Sequence, residues 1–323
     1  MLDVTLIITG LIGLVWSSDR FVEGAAAIAK LVGLSPLIIG LTIVSIGTSA
    51  PEIVVSVIAS LTGSGELAVG NALGSNIANT GLVLGLTLII KSIAIDRTAA
   101  RRELPQMLVA TLLAGALLID GNLSIVDGLI LLSALLLFLS LLARRGPSSL
   151  ASDASAPLLS PFQAWVKFLV GLLLLIISSR LLVMGAVNVA SALGVSELVI
   201  GLSIVAIGTS LPELAASIMS ALKGHSDIAL GAVIGSNIFN LLIVLPVPGV
   251  LGPLALESNI FNRDWLVTFI TAAVLIVFVW RAQRVAAANG FIFGELGRAA
   301  GVSLFMIYVL YIATLIIAPE QSW

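Results

Sequence analysis

Two stretches, GTSAPE (47–52) and GTSLPE (208–213), each set a carboxylate directly after a proline inside a long apolar run. Proline has no N–H, and the ring of Pro51 collides with the carbonyl of Gly47, so a helix breaks or kinks there. The break frees carbonyl oxygens, which away from water need a partner in the protein or in a lined cavity. A dehydrated cation is one such partner. Thr48 and Ser49 precede Glu52 by four and three residues, so their oxygens share its helix face. Carboxylate, hydroxyl and carbonyl are hard ligands, suited to sodium or calcium and unsuited to a soft metal. The next run, GNALGSNIAN (70–79), adds Ser75 and Asn79 four residues apart, with Gly70 and Gly74 allowing close helix approach. The second half repeats the set with Thr209, Ser210, Glu213, Ser236 and Asn240. Two carboxylates at the bilayer centre are expensive unless cations neutralise them. Their combined charge matches one calcium ion. If the same oxygens also hold sodium, the two cations compete for one cage, and alternating exposure of that cage yields antiport.

The elements that must carry these residues are membrane spans. The 323-residue chain is 59% hydrophobic and 10% charged, against roughly 25% charged in a soluble domain. We read ten apolar runs, near 3–32, 35–61, 67–90, 104–120 and 124–143, then 161–193, 197–222, 227–250, 264–281 and 300–318. The first run lacks a basic leader or small-residue cleavage signal and reads as a retained span. A Ser-, Pro- and Ala-rich linker, 144–160, divides the first repeat (1–143) from the second (161–323) and is too short for a folded domain. Shifting the chain by 161 residues aligns 40–85 with 201–246 at about 22 identities in 46 positions, among them the Pro, Glu, Asn and Thr residues above. That is a duplication. Lys91, Arg97, Arg101, Arg102, Arg144, Arg145, Lys223, Arg281, Arg284 and Arg298 fall on one side of this topology. Asp3, Glu66, Asp120, Glu257, Asp264 and Glu320 fall on the other, with Arg263 the basic exception. Basic residues mark the cytoplasmic side, which puts both termini outside. Five spans per half is an odd number, so the second half is inverted. The expected fold is thus an all-α polytopic membrane protein of ten helices in two inverted five-helix repeats, with broken helices 2, 3, 7 and 8 around a central ion site.

Structural roles compete with this. Intramembrane Glu can serve an ion pair, for which Arg20 and Arg180 are the candidates, and Asn or Ser in a span can simply bond a neighbouring helix. The duplication and the adjacent helix break favour ion binding for Glu52 and Glu213. Asp19 and Glu23 are not repeated, and Glu66 and Asp227 align but lie at span ends. Asn71 faces Ala232 in the repeat and reads as packing, and His225 beside Lys223 reads as a turn. Other chemistry is excluded. Without cysteine there is no disulfide or thiolate metal site, and one histidine provides no imidazole cluster. No nucleophile–base pair stands in the spans, so the chain is not expected to be an enzyme. No basic block tracks nucleic acid, and no obligatory protein partner or prosthetic group is implied.

With these residues in view, the chain resembles the calcium/cation antiporter superfamily and is most similar to prokaryotic sodium/calcium exchangers. The stretches GTSAPE…GNALGSNIAN and GTSLPE…GAVIGSNIFN resemble the paired alpha-repeats of that family, here 40–85 and 201–246. The resemblance implies exchange of cytosolic calcium for external sodium across a prokaryotic inner membrane. Glu52 and Glu213 would be the central calcium ligands, and Thr48 and Thr209 would contribute through backbone carbonyls. Ser49, Ser75, Asn79, Ser210, Ser236 and Asn240 would complete flanking sodium sites. It also implies that spans 1 and 6 slide to change access. Some relatives carry an aspartate where Asn79 or Asn240 stands, so this cage holds less negative charge. A proton/calcium exchanger and a passive cation channel are the alternative functions.

Overall fold

Two apolar helices of 31 and 32 residues, α1 (Leu2–Val32) and α9 (Pro161–Ala192), lie antiparallel against each other. At 1.5 Å per residue each is about 46 Å long, more than a bilayer core needs, so the pair must tilt or project. Gly24 makes the approach feasible, because a Cβ there would stand 2.5 Å from the Phe168 backbone nitrogen. Phe21 and Phe168 stack beside it, ring centroids 4.9 Å apart. A capping box between Ser160 and Gln163, with Pro161 opening the first turn, starts α9. The computed structural model describes residues 2–97, 99–144, 159–193 and 206–317.

Between these helices the chain runs as α2 (Pro36–Ile39), a wide π turn (Gly40–Val44), α3 (Ser45–Thr48) and α4 (Ala50–Leu61). Then follow α5 (Gly65–Ala78), a π turn (Asn79–Leu84), α6 (Gly85–Ile90), strand β1 (Ile93–Ile95) and a π turn (Ala99–Glu103). Next come α7 (Leu104–Leu118), β2 (Asn122–Leu123) and α8 (Ile125–Ala143). After α9 come α10 (Ala206–Thr209), α11 (Leu211–Leu222), α12 (Ser226–Phe239), a π turn (Asn240–Val244) and α13 (Pro246–Leu251). The chain closes with β3 (Leu254–Ala255), a π turn (Ile260–Trp265), α14 (Leu266–Ala288), β4 (Gly294–Leu296) and α15 (Arg298–Ile317).

Seven of the described helical runs are long and apolar enough to cross a membrane, eight when the bent pair Pro36–Thr48 and Ala50–Leu61 counts as one span. The protein is a largely helical, multi-pass membrane protein. Of the ten expected spans, the run 197–222 is described only from residue 206, where α11 is a short apolar helix. The run 104–120 is the 15-residue α7, preceded by a turn holding Arg101, Arg102 and Glu103.

Two expectations are corrected. The third and eighth spans are not interrupted: Gly65–Ile90 and Ser226–Leu251 each continue as one helical run. Their irregularity is a π turn beginning at Asn79 and at Asn240, in which the Leu245 amide reaches back five residues to the Asn240 carbonyl at 2.8 Å. Such a turn absorbs the missing N–H of Pro246 without ending the helix. The fold is also not purely α. Two small antiparallel ladders, β1 with β4 and β2 with β3, join the halves where the inter-span segments leave backbone groups unpaired.

The runs Gly65–Ile90 and Ser226–Leu251 form the middle of the protein, 78% and 94% buried within it, against 22% for α1 and for α8. The main core gathers around Leu41, Leu73, Val233, Ile234 and Phe239. The outer helices turn Ile12, Leu136 and Leu137 outward, as a lipid-facing surface requires.

Candidate cation site

The break between α3 and α4 lies at Ser49, whose φ of −81° and ψ of 5° leave the helical region, and the two pieces meet at 45°. Ala50 and Pro51 then open α4, and Glu52 follows as its third residue. In the other half Ser210 has the same conformation, with φ −89° and ψ 3°, and Glu213 takes the same third position in α11. The proline chemistry is local: each ring pre-sets φ for a first turn and needs no amide partner. Both carboxylates therefore stand at the positive N-terminal end of a half-helix.

Thr48, Ser49, Glu52, Ser75, Asn79, Ser210, Glu213, Ser236 and Asn240 are all buried, and Thr209 is half-buried. Contacts cross between the halves, since the Ser49 hydroxyl donates to Glu213 Oε1 at 3.2 Å. Thr48 turns its hydroxyl back onto the Val44 carbonyl at 3.2 Å. Seven buried atoms of these residues have no hydrogen-bond partner among the described residues: Glu52 Oε2, Glu213 Oε2, Asn79 Oδ1, Ser210 Oγ, Ser236 Oγ and both amide atoms of Asn240. Each such group stabilises the fold by about 1–3 kcal/mol less than a satisfied one would. The elements that carry them touch one another: α3 packs on α12, and α5 on the Asn240–Val244 turn.

The ion-pair reading of the glutamates finds no support among the described residues. Arg20 faces Glu23 at 3.9 Å and is 41% exposed, and Arg180 is exposed. No salt bridge there involves Glu52 or Glu213. Nor do three or more His, Cys, Asp or Glu side chains gather anywhere among the described residues. The cage thus rests on two carboxylates and neutral oxygens, a set for hard cations.

Other sequence candidates serve structure. Glu23 ties α1 to α9 through Lys167 Nζ at 2.5 Å. Glu66 Oε1 accepts the Glu257 amide at 3.1 Å. Burial and the neighbouring Lys223 hold the His225 imidazole below its ordinary value, and the residue sits just before the start of α12. Asp19 Oδ1 meets Lys223 Nζ at 2.8 Å with both side chains over a quarter exposed. An exposed pair of this kind is worth about 0–1 kcal/mol. Asp19→Asn is therefore expected to keep calcium uptake within about twofold of the parent and to leave the melting temperature nearly unchanged in a thermal scan.

Two residues escaped the sequence reading. Asn71 donates its amide to the Glu52 carbonyl at 3.2 Å. It stands four residues before Ser75 and eight before Asn79 on one stripe, a signal hidden because its counterpart is Ala232. Ser179 of α9 donates to the Gly208 carbonyl at 2.9 Å. That oxygen is the one Pro212 leaves without an amide four residues on.

The model of the sodium/calcium exchanger protein family matches residues 2–144 and 163–317. The chain belongs to the sodium/calcium exchanger family. It is a prokaryotic-type member of the calcium/cation antiporter superfamily, and with this membership it is a cation/calcium antiporter of the membrane rather than an enzyme. Among curated relatives of this exchanger, the putative antiporter CaxA of Alkalimonas amylolytica is 43% identical over 96% of this chain and 98% of its own length. The inner membrane protein YrbG of Escherichia coli (strain K12) is 38% identical over 98% and 97%. A solved structure of the sodium-calcium exchanger NCX_Mj, soaked with zero Na+ and Ca2+, superposes with a TM-score of 0.84 at 34% identity, covering 97% of this chain and 99% of that one.

Proposed function

We propose that the protein exchanges calcium for sodium by alternating access at a site built on Glu52 and Glu213. The ligand set is completed by Thr48, Ser49, Ser75, Asn79, Thr209, Ser210, Ser236 and Asn240. The observation that carries the reading is the seven unpartnered buried polar atoms of these residues, four of them on residues other than the two carboxylates and Asn79, with no arginine among the described residues paired to either glutamate. Calcium matches the full charge of the pair, while sodium ions held by the neutral oxygens compete for the same carboxylates. The family's solved exchanger NCX_Mj, described as a sodium-calcium exchanger, supports this choice of ions.

The frame for this is ten helices in two inverted halves, 1–143 and 161–323, joined by a cytoplasmic linker at 144–160. Both termini are extracytoplasmic. The elements recur at the offset of 161: α4 with α11, α5 with α12, β1 with β3. Inversion is supported by the ladders. Strand β3, the counterpart of β1, pairs with β2, and the run Ala99–Leu118 separates β2 from β1. Counterpart ends then lie on opposite faces of the membrane.

In proteoliposomes, an outward-directed sodium gradient is expected to drive calcium uptake, and an imposed pH gradient without sodium is not. Uptake that follows the pH gradient and ignores sodium overturns the sodium assignment. It would instead favour proton/calcium exchange, in which the same two carboxylates carry the protons. Calcium flux with no counter-ion at all marks a passive channel.

A further inference from the structure

Away from the cation cage, three arginines converge on one cavity of about 330 Å³ between the start of the Ala99–Glu103 turn and the end of α14. Arg97 and Arg101 come from the first side, and Arg284 from the second. Its apolar wall is Ile276, Val279 and Trp280, which with Arg284 form one face of α14 at the spacing of helix turns. Among the described residues, no acidic side chain lines it. None of the salt bridges among the described residues involves these arginines. The Arg284 guanidinium lies over the Trp280 ring, 3.5 Å from its centroid, which fixes the plane and leaves its N–H edge for an anion. Gln283, which also lines the cavity, donates its Nε2 to the Ile95 carbonyl at 2.6 Å and ties α14 to β1.

Three clustered guanidiniums repel one another unless an anion joins them, and a planar fork matches phosphate. The occupant must also be amphiphilic. The site is at the end of a membrane-crossing run, Trp280 is 54% exposed as an interfacial tryptophan is, and the neighbouring Val277 is 59% exposed toward lipid. We infer that this cavity binds the phosphate headgroup of an acidic phospholipid, with an acyl chain lying along Ile276 and Val279. A basic pocket between spans at the level of the headgroups is suited to such a lipid.

The test uses the full chain in detergent and follows Trp280 fluorescence, taken as the difference between the parent and Trp280→Phe. It compares quenching by dibrominated phosphatidylglycerol, by dibrominated phosphatidylcholine, and by the first lipid in the presence of inorganic phosphate. Saturable quenching by the phosphatidylglycerol at concentrations where phosphatidylcholine has little effect is expected. Each of Arg97→Gln, Arg101→Gln and Arg284→Gln should weaken it about fivefold. Arg102→Gln, off the cavity, should leave it unchanged. Equal quenching by the two lipids, or arginine variants that bind like the parent, would overturn the proposal. Full competition by millimolar phosphate would make the ligand a free anion and overturn the lipid assignment. If a variant at 97 or 101 does not insert, Arg284→Gln alone is read in the same way.

Discussion

Glu52→Gln is expected to lower sodium-driven calcium uptake by about 10²–10³-fold, the equivalent of roughly 3–5 kcal/mol for removing one partner of a buried charge pairing. The carboxylate is buried, and among the described residues one of its oxygens has no hydrogen-bond partner and no cationic side chain pairs with it. Exchanging it for an amide keeps shape and hydrogen-bonding capacity but halves the negative charge offered to a divalent ion. Stability should move the other way. An amide is less costly to bury than a carboxylate, so the ion-free variant should melt no lower than the parent. What it should lose is the calcium-dependent rise in melting temperature, which for the parent corresponds to about 2.7 kcal/mol at calcium a hundredfold above Kd. Calcium uptake in proteoliposomes and thermal scans with and without calcium check both halves. A variant that carries calcium at the parent rate and is still stabilised by it returns Glu52 to a structural role. Glu213→Gln should behave alike, with one difference: Ser49 already donates to Glu213 Oε1, so that amide can reorient to keep the contact.

Gly235→Val is expected to abolish transport by an independent route. The run Ser226–Leu251 crosses the Gly40–Thr48 segment backbone to backbone. A Cβ at Gly235 would stand 2.5 Å from the Leu41 carbonyl oxygen, 2.5 Å from Ser45 Oγ and 2.8 Å from Leu41 Cα. Two of these three are main-chain atoms, so the crossing cannot relax by turning a side chain. It must separate, and Thr48 and Ser49 move with it, out of reach of Glu213. Overpacking of this kind destabilises by about 1–3 kcal/mol or more. The expected result is a lowered melting temperature together with loss of calcium uptake. Ser45→Gly should restore neither, because the Leu41 main chain still stands 2.5 Å from the added Cβ. A Gly235→Val protein that melts and transports like the parent would mean the two segments do not meet so closely.

Much of the site is legible in the order of residues because its signals are local. Pro51 and Pro212 lack an amide, which puts a helix break nearby whatever surrounds them, and the break is found two residues earlier at Ser49 and Ser210. The offset of 161 singles out residues that pairwise chance does not repeat. The same criterion fails at Asn71, since only one half uses it. The third and eighth spans are also expected to be broken, as the second and seventh are. They are wide turns in continuous helices, for packing on both sides holds the backbone together through the missing bonds.

Membrane insertion, the 161-residue repeat, the sites of the bends at Ser49 and Ser210 and the hard-oxygen character of the candidate ligands were determined by the sequence itself. Each follows from hydropathy, backbone chemistry or side-chain type within a few residues. Only the tertiary structure decided that Ser49 reaches the opposite glutamate, that Asn71 holds the Glu52 carbonyl, that Ser179 satisfies Gly208, and that Arg20 and Arg180 stay away from the cage. Those pairings depend on how far and in what register whole helices cross. That is fixed by close contacts such as Gly235 on Leu41, which lie far apart along the chain.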